Sequence, residues 1–280
     1  MRRLHINLTV ALITFVTAIA AESFINFRKS KPITQLAVIK HSEVEENAST
    51  YPPVDQSDDQ YVFDNGQFII VSEEVHLKSK RLRYDIDVRY PQILGTSDSQ
   101  VREINRRIRS LVKAEYEWPL NPSKEELKDY FEKWPEVFNS VELDYEILAA
   151  HNSLVSFHLN EHSYGIGAAH TVQTSHAINY DLKLRRALQL SDLFKPGAKY
   201  LDFISRRCAA ELSTRSTYVF AETLSKRSAF ENWNLTSNGI RINFDQCEVL
   251  SCADGQQKVE IPFTDLKPFL RPKFETFDAR

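Results

Sequence analysis

The sequence predicts an α+β fold: an antiparallel sheet with a long helix packed on one face and additional helices in the N-terminal half. Residues 141–147 alternate apolar and polar side chains, and residues 154–163 and 171–182 follow as two further strands after short connections, which indicates antiparallel hairpins. Helical periodicity occurs before and after these stretches rather than between every pair of strands. This order of elements indicates an α+β fold rather than a repeated β-α-β unit.

One strand and one helix open the folded part of the chain. Residues 84–90 read YDIDVRY, and this strict alternation predicts a half-buried strand that ends at Pro91. Residues 97–99 (SDS) are all good helix N-caps, so we expect a helix to begin there. Its apolar side chains form one stripe, made by Val101, Ile104, Ile108 and Leu111.

The later elements are two helices and five strands. A second helix begins at Ser123, where Glu126 completes a capping box. It ends at Trp134, because Pro135 disfavours helical geometry in the residue before it. A third, long helix is expected at residues 199–225. Its sheet-facing side would be formed by Leu201, Ile204, Cys208 and Leu212. We expect the strands at residues 141–147, 154–163, 171–182, 240–244 and 258–261.

The N-terminal segment predicts export. Arg2 and Arg3 precede an uncharged apolar run at residues 6–21, which is short for a membrane span of roughly 20 residues and suits an export signal. Apolar residues continue to Phe27 and basic residues follow, so cleavage and retention as an anchor both stay open. We expect a periplasmic or cell-surface protein that contacts the membrane only through residues 6–27, if they are kept.

Changes in composition along the chain suggest its domain boundaries. Polar and charged residues without periodicity separate the N-terminal segment from the first strand, which is typical of a linker. We divide the chain into a signal peptide or anchor (1–27), a flexible linker (28–60), a folded domain (61–270, with halves 61–150 and 151–270) and a tail (271–280).

Composition and charge exclude some classes of protein. A net charge of −3 gives no overall field that would recruit nucleic acid, so we expect no nucleic-acid partner. The sequence contains no nucleophile elbow and no phosphate-binding glycine loop. We therefore assign no catalytic residue and no cofactor, and a binding protein is favoured over an enzyme.

Three cysteines fit an exported protein with one disulfide and one spare thiol. Cys247 and Cys252 are the candidate pair, provided that the chain turns between them. Fully extended, their Cα atoms would lie about 16 Å apart, far beyond what a disulfide tolerates. Three unpaired, partly buried thiols remain the alternative.

Four histidines suggest an alternative function as a metal-dependent hydrolase. His158 and His162 fit the H-x-x-E-H pattern of zinc proteases, but that chemistry needs a helix and the flanking residues favour a strand. On a strand the two lie about 13 Å apart, too far for one metal ion. His170 and His176 could join them across the hairpin, so a hydrolase built on this group stays open.

A candidate binding surface lies at the tip of the hairpin formed by the expected strands 154–163 and 171–182. Tips commonly carry recognition, and the aromatic side chains could anchor a protein or a sugar ring. The candidate residues are Tyr164, Gly165, Gly167, His170 and Tyr180. In a purely structural reading, the imidazole of His170 would instead pin the glycine turn by bonding nearby backbone.

Several segments together resemble one bacterial domain family. Residues 165–170 (GIGAAH) resemble its Gly-Gly-Ala-His turn, and residues 179–182 (NYDL) with 190–194 (LSDLF) resemble the segment that follows. Residues 235–244 and 254–263 resemble its closing strands. The family is the extracytoplasmic domain of RsiV-type anti-sigma factors and PdaC-type deacetylases (domain of unknown function 3298, often preceded by 4163).

The resemblance implies a fold and a class of ligand. It implies an α+β fold with a helix on an antiparallel sheet, and lysozyme binding as the best understood activity. Only about five residues precede the apolar run, so we do not expect the anti-sigma role, which needs a cytoplasmic segment. We expect an exported, non-catalytic binding module of the cell envelope that recognises a lysozyme-like protein or cell-wall glycan such as peptidoglycan.

Overall fold

The computed structural model describes residues 60–95 and 98–275. The predicted signal or anchor, and the linker up to residue 59, lie outside these residues. The strands β1–β10 are Gln60–Phe63, Phe68–Ser79, Tyr84–Gly95, Asn139–His151, Leu154–Tyr164, Val172–Asp181, Arg186–Ala187, Trp233–Leu235, Gly239–Phe244 and Gln257–Pro262. The helices α1–α6 are Asp98–Glu117, Lys124–Lys133, Tyr200–Arg215, Ala221–Leu224, Phe263–Leu266 and Pro272–Glu275.

Strands β1 to β7 form one sheet in sequence order. All neighbours are antiparallel except β3 and β4, which run parallel from Tyr84 opposite Asn139 to Val88 opposite Leu143. The expected sheet was wholly antiparallel, but α1 and α2 lie between these two strands and supply the long crossover that parallel pairing requires. The predicted α+β class is confirmed.

Helix α1 covers one face of this sheet. The predicted stripe is buried at Val101, Ile104 and Ile108, and it continues to Val112, whereas Leu111 is half-buried. The side chain of buried Asn105 also ties the helix to β3: it accepts a hydrogen bond from Ile93 N (2.9 Å) and donates one to Ile93 O (2.8 Å). These two hydrogen bonds take the place of those that a neighbouring strand would form with Ile93 on the side of β3 that β4 does not cover.

The prediction that Pro91 ends its strand is wrong, because β3 continues to Gly95. Residue 91 pairs with Ser72 of β2, while β4 accompanies β3 only as far as Val88. Beyond that point β3 has a strand neighbour on one side only. Proline is tolerated in such a strand, because its missing N–H can face the unpaired side.

Helix α3 packs on a second, three-stranded sheet with the order β10-β9-β8. Ile204, Cys208 and Leu212 are buried as predicted, and Leu201 is half-buried. The helix ends at Arg215 rather than at residue 225, since the chain becomes extended there and Phe220 N donates to Val249 O (2.9 Å).

Buried asparagines join the two sheets. Asn179 of β6 donates to Trp233 O (2.6 Å) and accepts from Leu235 N (2.8 Å), as a neighbouring strand would. Asn234 of β8 donates to Phe157 O of β5 (2.8 Å). The sequence analysis missed β8, since its three residues give no alternation to recognise. Strands β5 and β6 belong to the large sheet, although the sequence division placed them in the C-terminal half.

Residues beyond 270, which the sequence analysis assigned to a tail, pack against the folded domain. Arg271 donates from its backbone N to Leu193 O (2.8 Å) and from Nε to Phe194 O (2.7 Å). Phe274 of α6 is buried in the core under the small sheet. The folded part therefore extends at least to this residue rather than ending at residue 270.

Cys247 and Cys252 form a disulfide, with Cα atoms 4.1 Å apart. The turn that the pairing needs lies at Cys247 itself, whose φ is +69°. Cys208 is a buried free thiol, and burial raises its pKa to about 12. Within the described residues, no helix has the length and apolar character that crossing a membrane requires.

Candidate functional site

The β5–β6 hairpin places residues 165–171 at the end of the large sheet. Gly167 has φ +89°, a conformation that side chains rarely adopt, and an added Cβ would come within 3.1 Å of the Trp134 ring. Ala168 N donates to Gly165 O (2.9 Å), which closes the turn. Ile166 N donates to Oδ1 of buried Asn139 (2.7 Å), so the turn is anchored to the sheet.

His170 does not hold the glycine turn in place, which is the structural role that the sequence analysis considered for it. The side chain is exposed, and its Nδ1 lies 3.0 Å from the carbonyl oxygen of Thr171, the next residue. The amide of Asn139 holds the loop instead. The imidazole of His170 therefore faces solvent on the tip.

Two tryptophans flank the loop. Trp118 follows α1, is 47% exposed, and its ring lies 3.9 Å from the position of a Cβ on Gly165. Trp134 follows α2, is half-buried and packs against Gly167. Together with half-buried Tyr164, these rings and residues 165–171 make up what we call the tip surface. It is a rigid loop bordered by partly exposed aromatic rings.

Tyr180 does not contribute to this surface. It pairs with Val155 at the far end of β5, whereas Tyr164 pairs with Ser140 near the tip. Its side chain is fully buried in the core beneath α1. The alternation of β6 turns this residue toward α1, so it cannot contact a ligand at the tip.

The four histidines of the hydrolase hypothesis do not form one cluster. His158 lies opposite Ala177, and His176 lies opposite Leu159. Directly opposed residues share a face of the sheet, so His158 and His176 point to opposite faces. His162 shares the face of His158, four residues along the same strand, and His170 lies in the loop. The H-x-x-E-H segment is a strand, as its flanking residues predicted.

A different group of ionisable side chains converges beneath α1. Nε2 of His176 lies 3.2 Å from Oε1 of Glu115 and 4.0 Å from Oε2 of Glu161. Thr174 donates a hydrogen bond to the same Glu161 oxygen (3.3 Å). Burial, together with the neighbouring carboxyl group of Glu115, raises the pKa of Glu161 to about 7. These three residues could hold a cation.

Sequence reasoning missed Glu115, Trp118, Trp134 and Asn139. Glu115 continues the α1 stripe one turn beyond Leu111, and Glu161 continues the apolar face of Phe157 and Leu159. A carboxylate in line with buried apolar residues was the signal that could have found this group. No comparable signal marks the tryptophans, since their contact with the hairpin depends on how the helices cross the sheet.

The fold and the tip surface define an α+β domain that presents a loop with aromatic borders. Residues 191–264 match the family described as "Protein of unknown function (DUF3298)". This stretch is therefore similar to the DUF3298 family, in agreement with the resemblance of the sequence motifs.

One curated protein is similar to a large part of this chain. The chain is 26% identical over 176 residues to the peptidoglycan-N-acetylmuramic acid deacetylase PdaC of Bacillus subtilis (strain 168). That match covers 61% of this chain and 38% of PdaC, so the chain spans less than two fifths of that relative.

Two solved structures resemble this chain. A DUF3298 family member from Bacteroides fragilis NCTC 9343 superposes with a TM-score of 0.51 at 18% identity, over 73% of this chain and 93% of that one. A DUF3298 family protein from Pseudomonas aeruginosa PAO1 gives a TM-score of 0.49 at 17% identity, over 75% and 98%. The first likeness agrees with the α+β architecture.

Proposed function

We propose that this protein is an exported, non-catalytic binding module of the cell envelope, and that the tip surface is its recognition site. The exposed ring of Trp118 beside an anchored glycine loop is the observation that carries this proposal. Tryptophan gives a large contact area at low entropic cost, and such residues dominate binding energy at many interfaces. The ligands we propose are peptidoglycan and a lysozyme-like protein.

Three observations support a location outside the cytoplasm. The N-terminal residues have the pattern of an export signal. The Cys247–Cys252 disulfide suits an oxidising compartment. PdaC is named for a reaction on peptidoglycan, a polymer of the cell wall, and it matches most of this chain.

The order of the loop favours recognition by a preformed site. Asn139 and the Gly165–Ala168 hydrogen bond fix the turn before any ligand arrives. A rigid site loses less conformational entropy on binding than a flexible one. The flat ring of Trp118 can stack on the apolar face of a sugar or pack against a protein side chain.

Binding assays with the full chain test this proposal. We expect it to sediment with insoluble peptidoglycan or to be retained by immobilised lysozyme, and we expect Trp118→Ala to weaken that binding at least tenfold. Tyr218→Ala is the matched control, because Tyr218 is 79% exposed and lies after α3. No retention on either ligand, or equal losses in both variants, would remove the tip surface from consideration.

A metal-dependent hydrolase remains a second candidate only through the group around His176. The reason is the convergence of this imidazole with Glu115 and Glu161. Release of acetate or of soluble fragments from peptidoglycan by the purified chain, lost in His176→Gln, would favour it over a binding module.

A further inference from the structure

Glu115, Glu161 and His176 come from three elements that are distant in sequence. Glu115 lies near the C-terminal end of α1, Glu161 on β5 and His176 on β6. One ligand atom from each side chain lies within 4.8 Å of the other two. The group therefore sits where the end of α1 crosses the β5–β6 hairpin.

The spacing of these atoms suits a single metal ion. Nitrogen and oxygen ligands bind zinc at about 2.0–2.2 Å, so two ligands of one ion lie roughly 3–4 Å apart. The separations of 3.2 Å and 4.0 Å from His176 Nε2 are close to this range. One imidazole with two carboxylates is a donor set for Zn²⁺, Mn²⁺ or Fe²⁺, whereas Mg²⁺ and Ca²⁺ prefer oxygen ligands alone.

Among the described residues, neither Glu115 nor Glu161 forms an ion pair with a lysine or an arginine. The Glu161 side chain is only 5% exposed, and a buried carboxylate needs a cation or a proton. Nε2 of His176 is itself buried and makes no hydrogen bond among the described residues. Its lone pair is therefore open to a ligand in the neutral imidazole.

Two further features fit a bound ion. Thr174 donates to Glu161 Oε2, the kind of outer contact that orients a metal ligand. The side chains of Glu115 and His176 are 29% and 27% exposed, so the group lies close to the protein surface. The carboxylate of Glu161 would form the buried side of the site.

We propose that Glu115, Glu161 and His176 bind one divalent transition-metal ion, which fastens the C-terminal end of α1 to the β5–β6 hairpin. The site goes beyond the proposed recognition of glycan or protein and does not depend on it. Trp118 lies three residues after Glu115, so the ion would also steady one border of the tip surface.

Calorimetric titration of the full chain with Zn²⁺, after treatment with a chelator and dialysis, tests the site. We expect one binding event in the wild type, weakened at least tenfold in His176→Gln and in Glu161→Gln. The matched control carries His162→Gln and His170→Gln, which removes two other histidines with solvent contact and should retain the event. Mg²⁺ should give no comparable binding.

Thermal unfolding distinguishes a lost ligand from a lost fold. Saturating Zn²⁺ should raise the unfolding temperature of the wild type and of the control, because a ligand that binds only the folded state stabilises it. The rise should be absent in His176→Gln and in Glu115→Gln. Glu115 is part-exposed, so its replacement should leave the fold intact. Absence of Zn²⁺ binding in the wild type, or equal affinity in wild type and His176→Gln, would overturn the proposal and leave a carboxyl pair that shares a proton.

Discussion

At the scale of single residues, backbone geometry and burial decide what each candidate residue can do. Gly167 is confined by its positive φ and by the Trp134 ring, while His170, three residues later, is exposed to solvent. Tyr180 and His158 are buried although both are polar. Their neighbours along the chain resemble those of exposed residues, so the sequence alone did not predict that these two side chains are buried.

Replacing Gly167 tests the packing of the tip surface. We expect Gly167→Ala to lower the free energy of unfolding by roughly 1–3 kcal/mol, the usual cost of forcing a side chain into this backbone region. It should also displace Trp134 and change the tryptophan fluorescence. Gly197→Ala is the control, because Gly197 has φ +77° with nothing near its Cβ. A fluorescence change of the same size in both variants would contradict the Trp134 contact.

His158 should make stability depend on pH. Burial lowers its pKa to about 4, and Lys258 acts in the same direction, whereas Glu146 opposes it. Above its unfolded pKa of about 6.5 the ring is neutral in both states, and below that value the unfolded state takes up a proton first. Stability is therefore present above pH 6.5 and is lost as the pH falls toward 4, by up to roughly 3 kcal/mol.

Denaturant unfolding at several pH values measures this effect. We expect the slope between pH 6.5 and 4 to be smaller in His158→Leu than in the wild type, and unchanged in His170→Gln. The raised pKa of Glu161 gives a slope of opposite sign, but it is present in all three proteins and cancels in the differences. Equal slopes in His158→Leu and the wild type would show that this ring does not titrate as expected.

At the scale of elements, local sequence patterns predicted the positions of most of the longer helices and strands. Which strands pair with one another depends on contacts between residues that are distant in sequence. The capping box of Ser123 and Glu126 and the end of α2 at Trp134 occur as predicted. The strands β4, β5, β6, β9 and β10 also occur where the sequence predicted strands. Strand β8 was missed because its role depends on Asn179, which supplies hydrogen bonds from another strand.

The asparagine contact between the sheets should be costly to remove. Asn179→Ala leaves Trp233 O and Leu235 N without their partner. We expect a loss of roughly 2–5 kcal/mol in the free energy of unfolding, because each buried backbone group left unpaired costs about 1–3 kcal/mol. Asn160→Ala on β5 should cost less than about 1 kcal/mol, since among the described residues its side chain forms a hydrogen bond with His162 alone, in a part-buried site. Similar losses in both variants would argue against the bridging role.

At the scale of the whole molecule, two cores lie on either side of the β5–β6 region. One core lies between α1 and the large sheet, and the other surrounds the small sheet and α3. The buried asparagines connect the small sheet to the large one. The tip surface and the group around His176 both lie at the hairpin end of the large sheet, near the end of α1.

The sequence by itself determined the positions of most of the longer elements and the family resemblance, and it named Cys247 and Cys252 as a candidate pair. These depend on neighbours along the chain: alternation, helix caps and motif spacing. Only the tertiary structure decided that β3 and β4 run parallel, that Tyr180 is buried, and that Glu115 meets Glu161 and His176. The physical reason is that strand register and helix crossing set which side chains meet, and these follow from packing of the whole core rather than from any local pattern.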